Sequence, residues 1–421
     1  MQKRFTVSII GCGSRGGYIY GQLMHSSPEH FKIVSLCDIN NEHLRYYAAK
    51  FDLLDGDLFN SEEAFFQKKR SDVIVIATQD RDHVRMCIKA MELGYDILME
   101  KPISPIKEEL MELLRAQEKY KRKVLICHVL RYAPAFLKAK EILDSGKIGR
   151  LVMIDAVEQV AYWHQAHSFV RGNWRNDKTT SPMIMQKCCH DLDLLQYYAG
   201  SSCENIYSTG NLTFFNEDNK PDGAADCCSN CKYINECAYS AERLYVERWK
   251  MEGSKPDDVP YNIIAEAPLT EGKLREAYKK GMYGRCVFAC DNNVVDNQTI
   301  NIVFKNGVKA NLTMTAFTYE LGRRYVFYGT YGEIELVEDR DLLLVKVFGK
   351  PIEEYKISTL ISVMTSYGHG GGDNGLINSF YNVLTGLIEP STSLEKSIES
   401  HLMALAAEES RITGKVIKVH E

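Results

Sequence analysis

The apolar residues of this chain fall into two rhythms, and the switch between them divides the chain near residue 128. Up to that point, short continuous apolar runs take turns with helically spaced segments. Val7-Ser8-Ile9-Ile10, Lys32-Ile33-Val34-Ser35-Leu36-Cys37, Val73-Ile74-Val75-Ile76, Ile97-Leu98-Met99 and Val124-Leu125-Ile126-Cys127 read as strands buried on both faces. Such runs belong to parallel sheets with helices on either side, here predicted over 17–24 and 83–93. Beyond residue 128, strand-like runs lie at 151–163, 206–215, 299–304, 310–317, 325–328, 333–337 and 342–347, and several of them alternate apolar and polar residues. Several of these segments meet in short turns such as Lys305-Asn306-Gly307, which predicts an open, mainly antiparallel sheet. Helices expected at 135–144, 185–198, 375–384 and 394–413 would cover one face and leave the other for a second copy of the chain. The fold class is therefore α/β: a doubly wound parallel sheet over 1–128, then an α/β domain over 129–421 interrupted at about 216–297 by an insertion without clear periodicity.

Composition narrows this picture without overturning it. A chain of 421 residues with 45% hydrophobic content can fill two cores. Its formal charge of -5 comes from interspersed acids and bases, so no basic face for nucleic acid stands out. Met1-Gln2-Lys3-Arg4 precedes an apolar run too brief for a signal-peptide core, and no segment reaches membrane-spanning length. The expectation is a cytoplasmic protein with a small-molecule substrate and no membrane partner.

Candidate chemistry begins where the first strand ends. Gly11-Cys12-Gly13-Ser14-Arg15-Gly16 is a glycine turn between a strand and a helix, the arrangement that brings backbone N–H groups against a pyrophosphate. Asp38 closes the second strand, where a carboxylate accepts hydrogen bonds from ribose hydroxyls and repels a 2′-phosphate, favouring NAD over NADP. Ligands in such sheets sit at the carboxyl ends of strands, so Thr78, Gln79, His83, Glu100 and Lys101 should line one crevice beside the nicotinamide. The glycine turn, Asp38, Ala77-Thr78, the His83 helix and Glu100-Lys101-Pro102 together resemble the Gfo/Idh/MocA family of glucose–fructose oxidoreductase, inositol dehydrogenase and their relatives. The resemblance covers essentially the whole chain. It implies an NAD(P)-binding Rossmann domain, an open-sheet α/β domain, a lysine that contacts the reacting hydroxyl and a downstream histidine that handles its proton.

In the second half, His190 and Asp193 stand three apart, so on a helix they share a face, and an imidazole with a neighbouring carboxylate can serve as a general base. The spacing matches the family's histidine and aspartate. Many relatives carry an aspartate four residues before the histidine, whereas this chain has Gln186 followed by Lys187, a cation that would favour a substrate anion or depress the histidine's pKa. The stretch from Tyr162 to Asn176 mixes Trp163, His164, His167, Arg171, Trp174 and Arg175, suited to stacking a sugar ring and bonding its hydroxyls; His164 and His167 can alternatively ligate a metal. His128 and Arg131 at the domain crossing, and His369 in the loop from Tyr367 to Asp373, complete the candidate substrate residues.

Of thirteen cysteines, several crowd into the insertion. A turn-rich loop without a core can gain folding energy from tetrahedral zinc, and Cys228, Cys231, Cys237 and Cys286 are the candidate ligands, with Cys227 competing for the first place. An iron–sulfur cluster and plain reduced thiols are the alternatives; similar cysteine-bearing insertions occur in one branch of the family. The function predicted is NAD-dependent hydride transfer from a hydroxyl carbon of a sugar, polyol or glycoside, by Lys101, His190 and Asp193. The alternative uses the same atoms for transient oxidation and elimination, cleaving a glycoside without net redox. A non-catalytic NAD-dependent sensor is a third class, disfavoured by the presence of both Lys101 and His190.

Overall fold

The computed structural model describes residues 3–256, 258–361 and 369–420. Six parallel strands form the first sheet in the order β3-β2-β1-β4-β5-β6: β1 (Phe5–Ile10), β2 (Phe31–Cys37), β3 (Leu58–Phe59), β4 (Val73–Ile76), β5 (Asp96–Met99) and β6 (Val124–Ile126). The order reverses beside β1, and this creates a crevice at the carboxyl ends of β1 and β4. One face of the sheet is closed by the helix Ser14–Gly21 and by a much later helix, Gly372–Thr385, whose Leu376, Ile377 and Phe380 pack with Val7, Ile9 and Leu36. The other face, through Ile74, Met91 and Leu113, joins one continuous core with the second sheet.

That second sheet has nine strands in the order β14-β13-β12-β11-β7-β10-β9-β8-β15. They are β7 (Leu151–Gln159), β8 (Cys203–Asn211), β9 (Asn297–Phe304), β10 (Lys309–Thr315), β11 (Gly322–Gly329), β12 (Gly332–Val337), β13 (Leu342–Val347), β14 (Glu353–Lys356) and β15 (Ile417–Lys418). All pairings are antiparallel except β7 with β10. Alternation explains the layer: Ile300, Leu312, Tyr325, Phe327 and Ile334 point into the core beneath the helices Cys189–Ala199 and Leu394–Thr413. On the opposite face Met153, Val157, Val326 and Leu344 remain half-buried.

Three predicted elements differ, one of them the strand expected over 206–215, which lies at Cys203–Asn211. The helix expected across 185–198 is broken into Met183–Gln186 and Cys189–Ala199, with Lys187 and Cys188 between. The strand expected to run to Trp163 stops at Gln159; Tyr162–His164 and Gln165–Arg171 are helical, the latter wound as a π-helix and wholly buried. The insertion has its own core, with Phe215, Tyr245, Trp249, Tyr261, Leu274 and Tyr278 packed together. No helix among the described residues is long and apolar enough to cross a membrane.

Candidate active site

The loops after β1, β4 and β5 converge at the carboxyl edge of the first sheet and bound a cavity of about 520 Å³. Gly11 has φ +87°, a left-handed backbone that favours glycine, and a Cβ there would strike the Ala77 carbonyl. A Cβ on Gly16 would overlap the Gly11 oxygen, so both glycines are required for the turn to close. Gly13 is different: nothing lies within 4 Å of where its Cβ would be, and it lines the cavity ahead of the helix that begins at Ser14. Asp38, at the end of β2, accepts from Cys12 N–H at 2.5 Å and Asn40 N–H at 2.8 Å. Burial pushes its carboxyl up, but His43 and these two N–H groups outweigh it, and the net shift is downward. An open glycine cradle, a helix N-terminus behind it and a fixed anion after the second strand fit a dinucleotide.

Other residues expected at the cofactor sit on this wall in distinct ways. Thr78 and His83 line the cavity, and the His83 ring lies between Pro102 O (2.8 Å) and Thr78 O (3.1 Å), fixing the two loops to each other. Glu100 is buried; it accepts from Arg15 Nε at 2.7 Å, the Tyr20 hydroxyl at 2.6 Å and the Lys101 N–H at 3.0 Å. Arg15 also reaches Asp373 at 2.5 Å, which joins the glycine turn to the helix Gly372–Thr385.

A second cavity of about 560 Å³ opens against the first, and Arg15, Lys101, Trp174, Gln186, His190 and His369 line both. The broken helix explains how Lys101 is aimed. In a continuous helix the Gln186 carbonyl would accept the His190 N–H; here it accepts the Lys101 Nζ at 3.0 Å. His190 is 4% exposed, with its Nδ1 buried and unpartnered. Burial first, then the positive charge of Lys101 and the neighbouring His369 and His128, hold it well below the ordinary imidazole range, so the ring is neutral at neutral pH. His369 lies 5.8 Å from the His190 ring centroid and bonds Asp373 at 3.1 Å. Tyr367 and Gly368 of its loop lie outside the described residues.

The expected partnership of His190 with Asp193 is not formed. Both Asp193 oxygens are taken by the Arg131 guanidinium at 2.6 and 2.7 Å, and His128 packs beside them with its Nε2 at 3.8 Å. A bidentate fork holds a carboxylate better than one imidazole N–H can. Arg131 and His128 thus lie beneath the site and line neither cavity. Lys187 and His164 do line the second cavity, but Lys187 is paired with buried Glu158 at 3.1 Å.

The remainder of the aromatic and basic stretch serves the insertion. His167 stacks on Tyr283 and bonds the Tyr245 hydroxyl at 3.1 Å, Trp163 lies under Arg248, and Arg175 pairs with Asp291 at 2.7 Å. Fully buried Arg171 donates to Arg285 O and Tyr239 O, both at 2.7 Å. These placements run against the substrate roles expected for His167, Trp163, Arg171 and Arg175: their side chains meet protein partners rather than the two cavities, although the Gln165 amide and Arg171 Nη1 are buried without a hydrogen-bond partner among the described residues. The zinc expectation is not supported by the placement of its ligands. Cys228, Cys231, Cys237 and Cys286 do surround one cavity of about 30 Å³, yet among the described residues no three or more His, Cys, Asp or Glu are placed to hold a metal. Arg171 Nη2 approaches the Cys228 sulfur at 3.6 Å, putting a cation beside the first expected ligand, and the insertion has a core of its own.

Several wall residues were not anticipated: Tyr18, His43 and Tyr47 on the cofactor side, Val259, Asn262 and Ile263 from the insertion, and Arg323 and Glu338 on the substrate side. No local pattern marks them. Arg323 reaches Asp191 (2.9 Å) and Glu158 (2.7 Å) only because β7, β11 and the helix Cys189–Ala199 are stacked.

Comparison with known proteins agrees with this architecture. Residues 5–128 match the family described as an oxidoreductase family with an NAD-binding Rossmann fold, and residues 140–419 match the C-terminal alpha/beta domain of the same family. YteT of Bacillus subtilis strain 168, which carries the name of an oxidoreductase, is 26% identical over 391 residues, covering 89% of this chain and 88% of that one. An inositol 2-dehydrogenase of Corynebacterium glutamicum is 24% identical over 213 residues, 49% of this chain and 57% of that protein. The WlbA dehydrogenase of Bordetella pertussis, solved with NADH and UDP-GlcNAcA, has the same fold at a TM-score of 0.71 and 15% identity, covering 99% of this chain and 98% of that one.

Proposed function

Because the chain belongs to the Gfo/Idh/MocA oxidoreductase family, an NAD-binding Rossmann domain followed by the family's α/β domain, we propose that it transfers a hydride between NAD and a hydroxyl-bearing carbon of a sugar, polyol or glycoside. The observation that carries the reading is the pair Lys101 and His190 on the wall common to the two cavities. NAD, bound on the Gly11–Gly16 side, supplies the hydride acceptor. Lys101 Nζ, now bonded to Gln186 O, turns to the reacting oxygen and stabilises the negative charge that develops there. His190, neutral and with Nδ1 buried, takes the hydroxyl proton at Nε2. Asp38 selects NAD over NADP, since its carboxylate is held in place by two N–H groups and repels a 2′-phosphate. The reading includes a homo-oligomer formed through the uncovered face of the nine-stranded sheet and a reducing, cytoplasmic setting, which the thirteen unpaired cysteines support.

The test is to incubate the protein with NAD and a panel of sugars, polyols and aryl glycosides, following NADH absorbance and released aglycone together. NADH is expected with at least one uncharged sugar or polyol, and Lys101→Ala or His190→Ala should each lower the saturating rate by about 10²- to 10⁴-fold. Near-normal rates in either variant would overturn the mechanism. Aglycone release that requires NAD but accumulates no NADH would replace it with glycoside cleavage by transient oxidation. Cofactor binding without NADH formation or solvent deuterium exchange into any sugar would point instead to a sensor.

A further inference from the structure

The second cavity has an unusual charge balance. Four cationic side chains line it, and three are already neutralised: Arg15 by Glu100 and Asp373, Lys187 by Glu158, and Arg323 by Glu158 and Asp191. The fourth, Lys101, has only the Gln186 carbonyl, and the proposed function assigns it to the reacting hydroxyl. Against these stands Glu338, in the turn that follows β12, which lines the cavity and whose side chain makes no hydrogen bond or ion pair with any described residue. Among the described residues, a substrate carboxylate entering here would find no free cation apart from Lys101 and would meet a carboxyl that has no hydrogen-bond or ion-pair partner. A substrate hydroxyl would find a free acceptor.

We propose that Glu338 is the specificity-determining residue of the substrate cavity, accepting hydrogen bonds from hydroxyls of an uncharged polyol or glycoside and excluding sugar acids. The proposal rests on the reading that this cavity holds the hydroxyl that gives up hydride. The charged groups that weigh most on Glu338 are Arg323 on β11, Glu158 on β7, Asp191 on the helix Cys189–Ala199 and Lys187 before that helix, and the Tyr198 phenol of the same helix also faces it. Burial, chiefly, pushes the Glu338 carboxyl up to about 7; Arg323 and Lys187 pull it down, and Glu158 and Asp191 raise it further. Its charge, and with it the exclusion of anions, is therefore present above that value and fades as pH falls through it.

The experiment compares matched pairs: methyl glycosides of glucose, galactose and mannose against the methyl glycosides of the corresponding uronic acids, with the C6 carboxylate free. NADH formation with NAD is measured at pH 8 and pH 6 in the wild type and in Glu338→Gln. The uncharged member should be preferred at least about tenfold in kcat/KM at pH 8, as expected for one unpaired like charge in a buried site, and the preference should narrow several-fold at pH 6. Glu338→Gln should remove the pH dependence of the preference, acting on KM more than on kcat. Preference for a uronate, or a wild-type preference unchanged between the two pH values, overturns the proposal; the latter comparison needs no variant to fold. Absence of NADH with every pair and with every member of the sugar and polyol panel overturns the hydride-transfer reading and this proposal with it, whereas uronate preference overturns this proposal alone.

Discussion

Replacing Arg131 by methionine would separate a structural carboxylate from a catalytic one. Asp193 is 1% exposed and Arg131 is 4% exposed, and the fork between them is the carboxylate's only hydrogen-bonded support among the described residues. Removing one partner of a buried pair costs about 3–5 kcal/mol, because the remaining charge is left desolvated and uncompensated. The same change also frees Ser391 O, which now accepts from Arg131 Nη1 at 2.9 Å. The pH dependence has a definite sign. Burial raises the Asp193 carboxyl above the usual aspartate range, and Arg131 pulls it back only in part. A folded-state value above the unfolded one means that stability falls as pH rises from below about 3.9 through the folded value. Without Arg131 the folded value moves higher still, so the variant's deficit should be full at neutral pH and shrink on acidification, leaving only the packing loss. Urea unfolding followed by far-UV circular dichroism, with Arg131→Met, Asp193→Leu and the double variant as a cycle, reads both effects. The double variant should recover most of the loss. A single-variant deficit within about 1 kcal/mol of the wild type, the figure for exposed pairs, would refute the reasoning, as would a deficit independent of pH.

Three other outcomes follow from the site. Gly16→Ala should cost about 1–3 kcal/mol and abolish the thermal shift given by NAD, since the new Cβ would displace the Gly11 carbonyl and open the turn. Asp38→Ser should weaken NAD by roughly ten- to a hundredfold, as expected from about 1.5–3 kcal/mol for a hydrogen bond to a charged group, and narrow the preference over NADP, both measurable by calorimetry. Because His190 is held well below its ordinary range, the proton acceptor stays deprotonated as pH falls from 8 to 6.5. In a Glu338→Gln background, kcat/KM for an uncharged substrate should therefore show no acid limb in that interval, and a limb centred near 6.5 would refute the assignment.

Local patterns in the sequence carried the parallel sheet and the cofactor wall. Glycine contacts in the turn lie within a few residues or one strand away, and continuous apolar runs such as Val73–Ile76 admit no other placement than a buried strand. The helix Leu394–Thr413 and the strand Leu342–Val347 have the bounds their periodicity predicts. Leu58–Phe59, Glu353–Lys356 and Ile417–Lys418 were not visible as strands, because short edge strands need little apolar pattern of their own. On the substrate side the determining contacts span the chain: Arg131 to Asp193 over 62 residues and Arg323 to Asp191 over 132. A helical spacing of three correctly put His190 and Asp193 on one short helix, but it contained nothing about which distant cation would claim the carboxylate. The stretch from Tyr162 to Asn176 read as solvent-facing or substrate-facing for the same reason. Polarity argues against burial only while the partners of the polar groups are unknown.

The partners of that stretch also change the standing of the cysteine-rich insertion. The π-helix Gln165–Arg171 presents Phe169 to the substrate cavity and, two residues on, sends Arg171 into the insertion to hold Arg285 O, Tyr239 O and the Cys228 sulfur. From its other side the insertion places Val259, Asn262 and Ile263 on the wall of the cofactor cavity. One segment therefore links the two cavities from outside the Rossmann domain, and its anchor is a buried guanidinium that donates through Nε and Nη2 to two backbone carbonyls and lies beside the Cys228 sulfur. A closely packed buried segment transmits displacement because it has no space in which to absorb it. Any change that unseats Arg171 must move Phe169 at one end of the cleft and the contacts of the insertion at the other. The insertion is in this sense part of the wall that defines the cleft, and Cys228, Cys231, Cys237 and Cys286 lie around its anchor.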